Sequence, residues 1–203
     1  MVETASLILV AVMAAGLGPK LAWSDHSGWK MAPEFALAGV DGGPAAPTQI
    51  RARWNESWLF VEFVCRDPAL VAPGRVDGED HFRIGDVVEV FVARRGKPDY
   101  IELHATPESR QTVYAFRDYR RAAEAPEGMV VQAGRIEGGW RAILALPWDA
   151  LGGRPGHDEW EFLAGRYDYD KVGGRPALSS FPAQKGKPDF HDRARYARLT
   201  LQR

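Results

Sequence analysis

Residues 48–66 read TQIRARWNESWLFVEFVCR, and the fold follows from them. In Thr48 to Trp54, Ile50, Ala52 and Trp54 fall on one side and Gln49, Arg51 and Arg53 on the other. This period of two is that of a half-buried β-strand. Asn55-Glu56-Ser57 supplies turn chemistry, and Trp58 to Arg66 (WLFVEFVCR) resumes at once, so the two runs form a hairpin. The second run is apolar at nearly every position, as a central strand covered on both faces requires. Asp67-Pro68 ends it.

The same grammar continues outward. Asp86 to Ala93 (DVVEVFVA), Tyr100 to Thr106 (YIELHAT) and Gln111 to Phe116 (QTVYAF) are short apolar runs, broken at Gly96 to Asp99 and at Pro107. Arg117 to Gly128 is charged and reads as an exposed loop or short helix. Met129 to Ile136 and Trp140 to Leu146 flank Glu137-Gly138-Gly139, a second hairpin. Pro147 to Leu151 suits one helical turn. Glu159 to Tyr167, Ala177 to Pro182 and Tyr196 to Leu201 are late strands. Only Thr4 to Leu17 has helical periodicity. Strands without alternating helices predict an all-β, antiparallel β-sandwich of jelly-roll or immunoglobulin-like type.

The 203 residues amount to one domain, or one domain with a short leader. Net charge is -1, so no global field holds nucleic acid or an anionic membrane. One cysteine excludes an intrachain disulfide and any CxxC site; Cys65 reads as a small buried hydrophobe. The 7 Trp, 6 Tyr and 9 Phe sit mostly on strands, as core residues do, with Trp23 and Trp29 expected to close the bottom of the sandwich. Ser6 to Gly18 (SLILVAVMAAGLG) is apolar, uncharged and too short for a membrane span. It fits the core of a secretory signal, although Glu3 precedes it and Lys20 spoils the cleavage site. Residues 1–19 are therefore expected to be a signal peptide or an apolar helix, and 20–203 a single exported domain.

The order of blocks resembles a known family: GWKMAP around Trp29, TQIRARWNESWLFVEFVCRDP, GDVVEVFV, YIELHATP, GGWRAILALPWDAL and FHDRARYARLTL. Their most specific part is the pair Trp54–Asp67 and Gly85–Phe91. It is similar to the carbohydrate-binding module family 9-like group of DOMON-type β-sandwiches, over about residues 20 to 203. The resemblance implies a non-catalytic domain that clamps a sugar between two aromatic rings at the end of the sheets, braced by calcium. It assigns the clamp to Phe82 and Phe190, where the family's sugar binders carry tryptophan, and polar contacts to Glu89 and His104. A late-loop arginine corresponds to Arg175 or, as second choice, Arg166.

Sugar recognition needs a flat apolar face for ring C–H groups and polar groups to replace water at the hydroxyls. Phe82 and Phe190 either supply that face or simply pack loops onto the sandwich. Asp86 and Glu89 are three apart on one strand, so they point to opposite faces and cannot be paired catalytic carboxylates. Glu89 lies among Val87 and Phe91 and needs a partner, which Arg51, Arg53 or His104 could be, in a structural ion pair or a ligand site. Asp86 reads as a cap at the strand start or a cation ligand. Asp80-His81 and His191-Asp192 abut the two phenylalanines, so His81, His104 and His191 could line one pocket, as sugar contacts or metal ligands, without HxH or HExxH spacing. Asp67, Asp77, Glu79 and Asp80 cluster hard oxygens suited to Ca2+, or form a solvated acidic loop.

Three functions compete. The first is carbohydrate binding, with a sugar or similar polyhydroxyl ligand as partner. The second is haem b binding for electron transfer, for which Met31, Met129 and His104 are the candidate axial ligands. The third, a glycoside-processing enzyme, requires two carboxylates across one cleft, and the sequence nominates no such pair. It also contains no serine nucleophile elbow and no phosphate-cradling glycine loop.

Overall fold

A computed structural model describes residues 6–11, 19–24, 26–122, 124–153 and 160–202. Two short helices, α1 (Pro19–Ser24) and α2 (His26–Met31), follow strand β1 (Ser6–Ala11). Then come β2 (Glu34–Ala36), β3 (Ala38–Gly39), β4 (Thr48–Trp54) and β5 (Trp58–Arg66). A 3-10 turn at His81–Arg83 leads into β6 (Val87–Arg94), β7 (Tyr100–Ala105), β8 (Gln111–Arg117) and β9 (Arg120–Arg121). The chain ends with β10 (Val130–Ile136), β11 (Gly139–Pro147), β12 (Trp160–Asp168), β13 (Ala177–Phe181) and β14 (Ala197–Gln202).

Both predicted hairpins form, β4–β5 and β10–β11, the second turning at Gly138 with φ 73°. The strands run β10-β11-β5-β4-β1-β14-β12-β6-β7-β8-β9, with β2 on β4 and β13 beside β12. The ribbon doubles over, so that Ile50, Ala52, Val61, Phe63, Ala142 and Leu144 face Val88, Val90, Val92, Leu103, Phe162 and Ala164 across one core. Trp54, Trp140, Trp148 and Trp160 belong to it, and buried Cys65 has its thiol pushed up to about 12 by burial. The result is the all-β sandwich that the sequence predicts.

Two expectations need correction. Residues 6–11 are not helical: Leu-, Ile- and Val-rich β1 pairs in parallel with β14 and, at its end, with β4. The rest of the predicted helix, residues 4–5 and 12–17, lies outside the described residues. Trp23 and Trp29 do not close the bottom of the sandwich. With Ala22 and Ala32 they cover the outer face of β5 and β11, packing on Phe60, Ile143 and Ala145. Trp29 Nε1 donates to Ala22 O at 2.7 Å, and the Arg53 guanidinium lies 4.1 Å from the Trp29 ring. That cover is why β5 is apolar on both faces.

At one end of the sandwich, Arg166 is fully buried between the layers. It donates to Thr48 Oγ1 at 2.8 Å, Arg66 O at 3.1 Å, Asp67 Oδ2 at 3.1 Å and Asp168. Asp86, just before β6, accepts the backbone N–H groups of Val71 (2.5 Å) and Tyr169 (2.7 Å). It ties the long loop 67–85 to the end of β12. Burial raises the Asp86 carboxyl to about 7. Asp86→Ala orphans both N–H groups, at about 1–3 kcal/mol each. Urea denaturation should show that loss for Asp86→Ala and a smaller one for Asp86→Asn; an alanine variant as stable as wild type would contradict this role.

Candidate functional site

The outer face of the β12-β6-β7-β8 layer carries the site. Side chains alternate, so Glu89 and Phe91 of β6 point away from the valines of the core. Register places Gly165, Glu89, His104 and Thr112 in one row across the four strands, and Leu163, Phe91, Glu102 and Tyr114 in the next. Over these rows lie the His81–Arg83 turn and the loop between β13 and β14. Together they enclose a cavity of about 170 Å3 lined by Phe82, Glu89, Phe91, Glu102, Tyr167, Pro188, Asp189, Phe190 and His191.

Each wall is held from behind. The His81 ring is buried against Thr112 Oγ1 (3.0 Å) and Val76 O (3.1 Å), and Tyr169 Oη donates to Phe82 O at 2.7 Å. This fixes the turn that presents Phe82. Tyr196 Oη donates to Phe190 O at 2.8 Å, while Arg195 ties its loop to Gln184 Oε1 and the Lys185 carbonyl. The Phe190 ring lies flat on Gly165, where an added Cβ would meet it at 2.8 Å. Tyr167 touches both phenylalanines edge-on, with centroids 5.6 Å from Phe82 and 5.9 Å from Phe190.

The floor is ionic. His104 is fully buried; its Nε2 lies 3.2 Å from Glu89 Oε1 and is hydrogen-bonded to Glu102 Oε1. Of the partners the sequence allowed for Glu89, His104 is the one in place. Burial, assisted by the neighbouring Glu102, raises the Glu89 carboxyl from 4.5 to about 8 despite the opposing pull of His104. Burial alone would lower His104, but Glu89 and Glu102 outweigh it and raise it. Burial thus favours the protonated form of Glu89, while the two neighbouring carboxyl groups favour the charged form of His104.

Four of the six proposed ligand residues, Phe82, Glu89, Phe190 and His191, line the cavity, and His104 lies directly beneath it. Arg175 does not join them: it is exposed in the β12–β13 loop. Arg166, the second choice, points into the core on the opposite face from Tyr167. Sequence reasoning missed Tyr167 and Glu102. Glu102 could have been found, because it shares a strand face with His104 two residues away. Tyr167 carries no sequence signal, since only the β12–β6 register brings it to Phe82. His81 is near but serves as the anchor described, and His157 lies outside the described residues.

Asp77 and Asp80 do not gather around Asp67. Asp77 accepts the Gln111 N–H at 3.0 Å, and Asp80 binds Tyr114 Oη and Arg83. The carboxylates that do meet Asp67 are Asp86 and Asp168, with oxygens within 4.8 Å of one another. Arg166 already contributes its charge to that group. Glu89, Glu102 and His104 form the other group whose geometry could hold a metal. Nothing supports haem ligation: Met31 is 80% exposed, Met129 is buried in the core, and His104 Nε2 is occupied by carboxylates. A larger cavity of about 320 Å3, lined by Arg94, Tyr100, Phe116, Leu151 and Trp160 among others, lacks a comparable convergence of buried polar groups.

The trio fixes a pH dependence. Glu89 binds its proton more tightly in the folded chain than at the ordinary 4.5, so its contribution to stability falls as pH rises from 4.5 through about 8. His104, raised above 6.5, stabilises fully below 6.5 and loses that contribution at higher pH, with the same sign. Melting temperatures across this range should therefore fall with rising pH, and Glu89→Gln should flatten the slope; an equally steep slope in the variant would contradict the assignment. Gly165→Val should drive the Phe190 ring out of its seat, and a crystal structure of the variant with Phe190 unmoved would refute the packing argument.

No protein-family model matches the chain, and no curated protein sequence is similar to it. Solved structures are. A candidate carbohydrate-binding protein from Bacteroides uniformis ATCC 8492 superimposes with a TM-score of 0.82 at 16% identity, covering 98% of this chain and 100% of that one. A family 9 carbohydrate-binding module from Caldicellulosiruptor kristjanssonii in complex with cellotriose gives 0.66 at 12% identity, over 97% of this chain and 93% of that one. Its complex with glucose gives 0.67 at 12%, over 97% and 95%. The chain is thus built on a fold like that of the family 9 carbohydrate-binding modules.

Proposed function

We propose that the Phe82–Phe190 cavity binds a carbohydrate and that the domain acts by binding rather than by catalysis. The observation that carries this is convergence. Two aromatic rings from loops more than a hundred residues apart in sequence line one cavity with Glu89, each in contact with Tyr167. Aromatic faces cover the C–H side of a sugar ring, and carboxyl groups and Tyr167 exchange hydrogen bonds with its hydroxyls. The structural neighbours that hold cellotriose and glucose support the same use of the fold. The cavity is smaller than the roughly 300 Å3 at which sites for drug-sized ligands begin, so it accommodates a single ring or a chain end. Phenylalanine in place of tryptophan offers less surface and no N–H donor, which predicts modest affinity.

Export is part of the proposal and rests on the apolar run at residues 6–18; cleavage there would take β1 from between β14 and β4. A native protein whose N-terminal sequence still includes this run would end that part.

Calorimetric titration with mono- and oligosaccharides tests the function. Binding should weaken about tenfold or more in Phe190→Ala and Phe82→Ala, as loss of ~1.4 kcal/mol implies. Silence across neutral, amino and acidic sugars would defeat the proposal, and so would unchanged affinity in both variants.

A further inference from the structure

Acidic side chains predominate around the cavity. Glu89, Glu102 and Asp189 line it, while among the described residues no lysine or arginine does. Arg83, which is not a lining residue, lies against the Phe82 ring at 5.2 Å and pairs with Asp80 at 3.2 Å. His104 is beneath the floor, where it is engaged by the two glutamates. His191 Nδ1 is paired with Tyr100 Oη at 2.8 Å. Glu102 Oε2 is buried without any hydrogen-bond partner. Neutral sugar hydroxyls need donors as well as acceptors, and this lining is rich in acceptors. The walls add to the bias, because the faces of Phe82, Tyr167 and Phe190 attract cations.

We infer that the cavity selects a protonated amine, carried on a compact ring such as that of an amino sugar. This rests on the carbohydrate reading and names its ligand class. The ammonium would supply the donor that Glu102 Oε2 lacks and a charge partner for Glu89, in charge-assisted hydrogen bonds. Its ring C–H face would lie against Phe190. The groups facing Glu89 are His104 and Glu102 from β7, Tyr167 from β12, and Asp189 and His191 from the loop above. A cation brought among them favours the ionised form of Glu89, so that its proton leaves as the ammonium binds.

The test is calorimetry on the intact chain at mildly acidic pH with glucosamine, glucose, N-acetylglucosamine and glucuronate. Glucosamine should bind about tenfold tighter than either neutral sugar, and glucuronate most weakly. Added salt should reduce the preference for glucosamine. The heat of glucosamine binding, unlike that of glucose, should vary with the ionisation enthalpy of the buffer. Glu89→Gln should collapse the glucosamine-to-glucose ratio; if that variant does not fold, the salt and buffer dependences of the wild type still decide. Neutral sugars binding as well as glucosamine would overturn amine selection and leave the sugar site standing. No binding of any sugar would overturn both.

Discussion

The pairing of β6 with β7 is the constraint on which the site depends. Register sets Glu89 opposite His104 and Phe91 opposite Glu102. A slip of one residue would turn Glu89 into the core and bring Val88 or Val90 outward, because strand faces alternate. Burying an unpaired carboxylate among Leu103, Val61 and Phe63 is prohibitive, so the apolar set on one face and the ionic set on the other lock the same register. The core therefore does more than stabilise: it dictates which face the polar groups occupy.

The ionic trio is expensive, and the protein manages the expense through protonation. Two carboxylates and one imidazole with almost no solvent cannot all be charged and unscreened. Burial favours the protonated form of Glu89, and the carboxyl groups beside His104 favour its charged form. A similar economy operates in a second cluster, where Asp86 is raised by burial and Arg166 offsets Asp67 and Asp168. The two clusters have different settings. Arg166 is sealed between the sheets, whereas Glu89 and Glu102 reach a cavity. That access distinguishes a structural ion cluster from one available to a ligand, and it is why the smaller cavity, rather than the larger one near Trp160, is the candidate site.

Much of the fold was legible in local pattern. TQIRARW announced one buried face through its alternation, and WLFVEFVCR two through its unbroken apolarity. Glu137-Gly138-Gly139 marks a turn by its chemistry, and Gly138 takes the left-handed conformation there. The helix expected from residue 4 to 17 fails at residues 6–11, because SLILVA suits a strand between two others as well as a helix, and period alone cannot distinguish them. Trp23 and Trp29 were assigned to the wrong surface for a related reason: an aromatic in a short helix covers whatever the chain path brings under it. In the site, Phe82, Glu89, His104, Phe190 and His191 came from the family resemblance and their neighbours in sequence. Arg175 did not follow, since loop positions drift where strand positions hold.

What the sequence alone determined was the set of strands, the face each presents and the hydrophobic core they share, since these follow from alternation and turn chemistry. What only the tertiary structure decided was company. Tyr167 reaches Phe82 and Phe190, and Gly165 leaves a seat for a ring, through the pairing of β12 with β6, strands that are distant in sequence. Strand order and loop closure set such contacts, and neither leaves a local signature. The sandwich is thus written in the period of the chain, while the chemistry of the cavity exists only once the strands have found their neighbours.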